Sequence, residues 1–273
     1  MIWVNGTIRE PDGAISANDR GLLLGEAVFE TLPVVDGVPQ FWDAHMARLR
    51  AACAAFSFPT PYDDATLKDA VKALLQTQKE QERHVLRLTV TAGAGGRGLV
   101  PPSPSAGTWL MQLSDAAPQP DYLRLYESDV AVLAGGASGG HKTSAYLDNI
   151  LARRAALAAG ADEALMFNQY GRLAGAAAGN IFVQTGKQLI TPPPSEGALA
   201  GIIRAALLQA EKVAGLNIKE GLVGRDLLAK ADALFVTNSL QSVVPAGFER
   251  EAGAAQKKQG RALCEALPQY LDF

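Results

Sequence analysis

The chain has 273 residues, 48% of them hydrophobic and 19% charged, and a formal net charge of −3. That is the balance of a soluble globular protein of one large or two ordinary domains, and it argues against nucleic acid or an anionic membrane as partner. No apolar stretch approaches the roughly 20 residues that cross a bilayer, and the opening MIWVNGTIRE reads as strand and turn rather than signal peptide. A cytoplasmic location is expected. Cys53 and Cys264 lie far apart in helical patterns and read as free, buried thiols. His45, His84 and His141 pair with no other His or Cys at ligand spacing, so no metal site is expected.

In chain order, Ile2-Trp3-Val4 ends at Asn5-Gly6, a hairpin signal. A second hairpin is predicted from Glu30–Val35, Asp36-Gly37 and Val38–Trp42. From Asp43 the apolar spacing turns helical, with His45, Arg48, Leu49, Ala52 and Phe56 on one face and Pro59 just beyond. Asp63–Gln78 reads as a second helix, and Val85–Thr91 and Trp109–Leu113 as paired strands. The stretch 115–121 (DAAPQPD) is the predicted linker, dividing a smaller domain over 1–114 from a larger one over 122–273. Beyond it come a strand over Asp129–Leu133, a glycine-rich loop and a helix over Ala145–Ala159. Strands at Ala164–Phe167, Asn180–Gln184 and Gln188–Ile190 precede a helix over Leu199–Ala214. Then follow Lys219–Val223, a short helix from Gly224, strand Leu234–Thr237 and a last helix over Gly253–Leu267. Strands and helices mix without regular βαβ alternation, which predicts a two-domain α+β protein.

Lys142 ends the loop Gly135–Gly140 just before a helix. Glycines allow close backbone approach to a ligand, and a desolvated amine there can attack an aldehyde. On this segment alone a solvated loop lysine is the plainer reading.

The wider pattern changes that. Asp19-Arg20-Gly21, Phe29-Glu30-Thr31, His45-Met46-Ala47-Arg48-Leu49, Gly95-Gly96-Arg97-Gly98, the run from His141, Asn180-Ile181-Phe182, Gly201-Ile202-Ile203-Arg204 and Thr237-Asn238-Ser239-Leu240 stand in order along nearly the whole chain. Together they resemble the class IV aminotransferases, the fold-type IV pyridoxal-phosphate enzymes. The family includes branched-chain and D-amino-acid aminotransferases, amine transaminases and 4-amino-4-deoxychorismate lyase. The resemblance implies a D-amino-acid aminotransferase-like fold with the cofactor, pyridoxal 5′-phosphate, at the domain junction, and a homodimer. It makes Lys142 the Schiff-base lysine, carried by the larger domain, and Arg48 the arginine that grips the phosphate. It gives the backbone of Ile202 and Ile203 to the same phosphate, with Thr237 adding a hydroxyl. Ile203 stands where the family usually has threonine. Tyr146 matches a donor to the cofactor's phenolic oxygen, although a packed tyrosine serves there equally. Glu30, Arg97 and Asn238 become candidate substrate-side residues.

One departure bears on chemistry. The family glutamate that pairs with the pyridine nitrogen falls on Gly175, and no Asp or Glu occurs from Arg172 to Asn180. A weaker electron sink disfavours transamination more than an elimination that ends in an aromatic ring. The segments Gly25–Leu32 and Thr237–Gln241 also look more like the lyase branch. The expected activity is conversion of 4-amino-4-deoxychorismate to p-aminobenzoate and pyruvate, a step of folate biosynthesis. The alternatives are an aminotransferase for D-amino acids, branched-chain amino acids or primary amines, and a non-catalytic pyridoxal-phosphate-binding protein.

Overall fold

The computed structural model describes residues 1–79, 81–95, 98–101, 106–249 and 253–266. The chain forms two compact units, Met1–Ala117 with Lys142–Ala145, and Pro118–His141 with Tyr146–Phe273. The division after Ala117 lies within the proline-marked stretch 115–121. The lysine segment departs from expectation, because Lys142–Ala145 belongs with the first unit and not the second.

The first unit contains strands β1 (Ile2–Val4) and β2 (Thr7–Arg9), helix α1 (Arg20–Leu24), strands β3 (Ala27–Val35) and β4 (Val38–Pro39), helices α2 (Trp42–Ala55) and α3 (Asp64–Leu75), and strands β5 (Arg83–Thr91) and β6 (Thr108–Asp115). The strands form one sheet in the order β2-β1-β6-β5-β3-β4. Asn5 and Gly6 both take positive φ, 47° and 91°, as a tight hairpin turn requires. The second hairpin is shorter than predicted. Its return strand stops at Pro39, because Phe41 turns left-handed (φ 56°) and Trp42 already begins α2. Asp63 caps α3 by accepting from the Thr66 amide at 2.8 Å. Leu32, Leu49, Leu67, Leu74, Leu86, Leu88, Trp109 and Met111 fill the core between sheet and helices. Cys53 is buried in it, and burial pushes its thiol up to about 11.

The lysine segment joins this sheet for a definable reason. β5 covers one edge of β3 along its whole length, Ala27↔Thr91 to Val35↔Arg83, whereas β4 covers only Val34 and Val35 on the other. The Ala27–Phe29 end of that second edge would otherwise leave backbone groups unpaired. Lys142–Ser144 pairs there. The Phe29 amide donates to the Lys142 carbonyl and the Ser144 amide to the Ala27 carbonyl, each at 2.9 Å, with an antiparallel bridge Val28↔Thr143 between them.

The second unit contains β7 (Leu123–Glu127), α4 (Leu147–Ala158), β8 (Glu163–Phe167), β9 (Leu173–Ala176), β10 (Asn180–Thr185), β11 (Gln188–Thr191), α5 (Ile202–Gln209), β12 (Lys212–Val213), β13 (Leu216–Glu220), α6 (Arg225–Ala229), β14 (Ala233–Asn238), β15 (Ser242–Gly247) and α7 (Ala254–Ala266). Its sheet runs β12-β13-β11-β10-β14-β15-β7-β8-β9. α4 packs on β7 and β8, and α5 on β13 and β14.

Two expectations fail here. The strand predicted over Asp129–Leu133 lies instead at β7, which hydrogen-bonds β8 and β15 in parallel. Past it the Ser128 hydroxyl accepts from the Val130 amide at 3.1 Å, a local turn that competes with the ladder. The helix predicted to run to Ala214 ends at Gln209. Glu211 and Ala214 take positive φ, 53° and 50°, and Lys212–Val213 folds back on β13. Among the described residues no helix is long and apolar enough to cross a membrane.

Candidate active site

In the first unit, β3 carries chemistry on both faces, because successive side chains alternate. Glu30 shares the face of Leu32 and Val34, toward α2. His45 and Arg48, three residues apart on that helix, meet it. Arg48 forks the carboxylate, Nε to Oε1 at 2.7 Å and Nη2 to Oε2 at 2.6 Å, and His45 Nδ1 lies 2.7 Å from Oε2. Glu30 is 1% exposed and His45 0%. Burial works to raise the Glu30 carboxyl, but hydrogen bonds and charge from Arg48 and His45 outweigh it and hold the group below its usual range. Burial pushes the His45 imidazole down, and the Arg48 and Lys142 charges act the same way, against the pull of Glu30. The imidazole is therefore neutral near pH 7. Its proton sits on Nδ1, since the carboxylate can only accept.

Phe29 points to the opposite face. The Arg87 guanidinium lies 3.7 Å from its ring centroid and the Lys142 ammonium 4.3 Å. Two cations thus share one ring, each drawn by its quadrupole.

In the second unit the pieces around Thr237 have the donors of a candidate anion cradle. Thr237 on β14 pairs with Asn180 on β10. Its Oγ1 is buried and has no hydrogen-bond partner, a costly state for a hydroxyl. Gly201 precedes α5 and supplies no side-chain cap, so the first amides of that helix keep the donors that a helix cannot satisfy itself. A Cβ on Gly201 would stand 2.0 Å from Asn180 Oδ1, so only glycine fits. Asn180 Nδ2 ties this corner to the Leu199 carbonyl at 2.7 Å. An unpartnered hydroxyl and uncapped amides of a helix start suit a phosphate.

The expected residues are distributed unevenly. Ile202 and Ile203 begin α5 just after Gly201, and Thr237 lies on β14 opposite Asn180. Arg48 is bound to Glu30. Glu30, expected on the substrate side, is turned inward and fully engaged, and this corrects that reading. Asn238 is likewise spent locally: Oδ1 accepts from the Leu240 and Gln241 amides, and Nδ2 donates to the Ala178 carbonyl and Gln241 Oε1. The turn after β14 claims the amide that was expected to meet substrate. Tyr146 is half-buried and immediately precedes α4. Arg97 lies outside the described residues. Gly175 is buried in β9, and a Cβ there would meet one atom within 4 Å, the Gly179 carbonyl oxygen at 3.2 Å. The buried Glu163 does not stand free to replace the missing acid. Arg153 holds it at 2.5 Å and the Ala164 amide at 2.9 Å. The sequence reading missed Arg87 and the role of His45. The i, i+3 spacing of His45 and Arg48 was the signal for the latter.

Residues 27–247 match the family model described as amino-transferase class IV. A Methanocaldococcus jannaschii protein named for branched-chain-amino-acid aminotransfer is 30% identical, over 94% of this chain and 90% of its own. The aminodeoxychorismate lyase of Bacillus subtilis is 26% identical, over 90% of this chain and 85% of its own. The crystal structure of 4-amino-4-deoxychorismate lyase from Pseudomonas aeruginosa matches with a TM-score of 0.81 at 28% identity, covering 100% of both chains. The chain belongs to the class IV aminotransferase family, with its fold-type IV architecture and its cofactor, pyridoxal 5′-phosphate.

Proposed function

We propose that this enzyme is a lyase that converts 4-amino-4-deoxychorismate to p-aminobenzoate and pyruvate. The observation that carries the reading is Gly175. The family glutamate is absent there, and the nearby buried acid, Glu163, is committed to Arg153. Pyridoxal phosphate, when bound, supplies an aldehyde for amine capture and a ring that withdraws electrons from the carbon bearing the amine. A ring nitrogen without a carboxylate partner withdraws less, and a reaction driven by aromatisation tolerates that best.

The chain's own residues have separable tasks. In the second unit Thr237 Oγ1 and the amides of Ile202 and Ile203 would hold the phosphate, and in the first Arg48 carries a guanidinium suited to the same group. Lys142 would hold the bound cofactor through its amine. The freed Lys142 amine then takes the proton from the ring carbon bearing nitrogen. The carbon–oxygen bond to the enolpyruvyl group breaks, the electron pair closes the aromatic ring, and Lys142 returns the proton to the leaving enol, which becomes pyruvate. Arg87, a neighbour of Lys142 across the Phe29 ring, is suited to a substrate carboxylate.

The test is to incubate the holoenzyme with 4-amino-4-deoxychorismate and measure p-aminobenzoate. Product is expected, with little conversion of cofactor to the pyridoxamine form by D-alanine or L-leucine. Amino transfer without p-aminobenzoate would establish the second reading, an aminotransferase, which the relatives named for that activity favour. Cofactor absorbance with neither reaction would mean a binding protein. Gly175→Glu should raise the rate of the pyridoxamine half-reaction about tenfold, because the added Cβ would meet only the Gly179 carbonyl oxygen, at 3.2 Å. No gain would remove Gly175 as the determinant.

A smaller effect concerns the cradle. Thr237→Val keeps the shape of the side chain and removes its hydroxyl. Cofactor affinity should fall about tenfold, the worth of one hydrogen bond to a charged group. Equilibrium dialysis of apoprotein against pyridoxal phosphate measures it, and an unchanged Kd would take Thr237 out of the site.

A further inference from the structure

The Glu30–His45–Arg48 cluster has a property that stability alone does not explain. His45 is 0% exposed and its Nε2 has no hydrogen-bond partner. A buried acceptor without a donor is a net cost, and an apolar side chain of similar size would avoid it. What the imidazole provides is the Nδ1–H, delivered to Glu30 Oε2 at 2.7 Å. The same oxygen takes Arg48 Nη2, while Oε1 takes Nε. Two donors on one face of the guanidinium fix its plane, and the carboxylate that fixes them is itself fixed by His45. Without that third contact Glu30 could rotate about its terminal torsion and carry Arg48 with it, since such sp³–sp² torsions are broad. A neutral donor is needed. A cation at this position would compete with Arg48 for the carboxylate and add charge to a buried site on which the Lys142 charge already acts.

We propose that His45 is a positioning residue: through Glu30 it sets the direction of the Arg48 guanidinium, and so governs recognition of the cofactor's phosphate while touching neither phosphate nor substrate. This rests on the reading that Arg48 meets the phosphate. Holding a planar donor in one orientation lowers the entropy lost on binding, which is where preorganised arginines gain affinity.

The experiment compares apoprotein affinity for pyridoxal 5′-phosphate with that for pyridoxal, which lacks the phosphate. The variants are His45→Asn, His45→Gln and Arg48→Met, each with its melting temperature recorded. Asparagine places an amide nitrogen where Nδ1 lies and keeps the donor to Glu30. Glutamine places it near Nε2 and loses that donor. His45→Gln should weaken pyridoxal phosphate about tenfold and leave pyridoxal within about twofold, while His45→Asn stays within about threefold of wild type for both. Arg48→Met should show the same selectivity with a loss of about a hundredfold. Equal losses for the two ligands in His45→Gln, or none, overturn the positioning role. If Arg48→Met remains selective in that case, the phosphate reading of Arg48 survives. If Arg48→Met is itself unselective, that reading fails and the role of His45 falls with it. Failure of both His45 variants to fold, with Arg48→Met folded and selective, makes the residue structural and overturns the proposal as well.

Discussion

Lys142→Ala is expected to abolish turnover, with a loss of about 10³-fold or more, while leaving the fold intact. On the proposed mechanism the amine would both hold the cofactor and move the protons, and either contribution alone is worth about 10²–10⁴ in rate. The segment's structural part is played by backbone. The Phe29 and Ser144 amides and the Lys142 and Ala27 carbonyls do not depend on the side chain. The variant forfeits the contact with the Phe29 ring, which is worth about 0.5–1 kcal/mol. Borohydride treatment should attach pyridoxyl to the wild type and not to the variant, with melting temperatures within a few degrees. Turnover retained to within tenfold of wild type would displace Lys142 from the chemistry.

Glu30→Ala should be the most destabilising change in the first unit. It strips a buried carboxylate from His45, which is fully buried, and from Arg48, whose side chain is 15% exposed, and breaking such a cluster costs about 3–5 kcal/mol. For a chain of this size that lowers Tm by about 10 °C. The pH dependence has a definite sign. Glu30 is held below its ordinary value of 4.5, so its contribution is complete above that value and is lost as pH falls through the lowered folded value. Melts recorded across the acid range should therefore fall more steeply below pH 4.5 for the wild type than for the variant. A variant that melts with the wild type at neutral pH would show the cluster to be energetically idle.

Local chemistry was legible in the sequence wherever one residue type had one structural use. Asn5-Gly6 marked its turn. Gly201 marked the start of α5, and the steric limit imposed by Asn180 explains why glycine stands there. What stayed hidden depended on distant pairing. β7 borrows its ladder from β8 and β15, and the short alternation Leu123-Arg124-Leu125 did not by itself outweigh the apolar run after Asp129. Pro245 masked β15, since a proline in a run argues against a strand. The candidate residues were found by type and not by direction. Glu30 and Asn238 are where the motifs put them, yet both turn their polar atoms to neighbours in the chain. No pattern in one sequence shows which way a side chain is already committed. Arg87 carried no motif of its own, and only the pairing of β3 with β5 brings it to the Phe29 ring.

The return of Lys142–Ala145 to the first unit has a consequence for how the protein is made. During synthesis Met1–Ala117 emerges first, and amino-terminal units begin to fold as they leave the ribosome. That nascent unit holds Arg87 and Phe29 but lacks Lys142, which the complete chain places beside them. The Ala27–Phe29 edge stays open until Pro118–His141 has also been synthesised, a long-range closure of the kind that slows folding and leaves a strand edge open to wrong partners. Lys142 is therefore delivered late, after the surface that receives it exists. A ribosome stalled before Lys142 should carry a chain with native-like β3–β5 pairing that borohydride and cofactor cannot label.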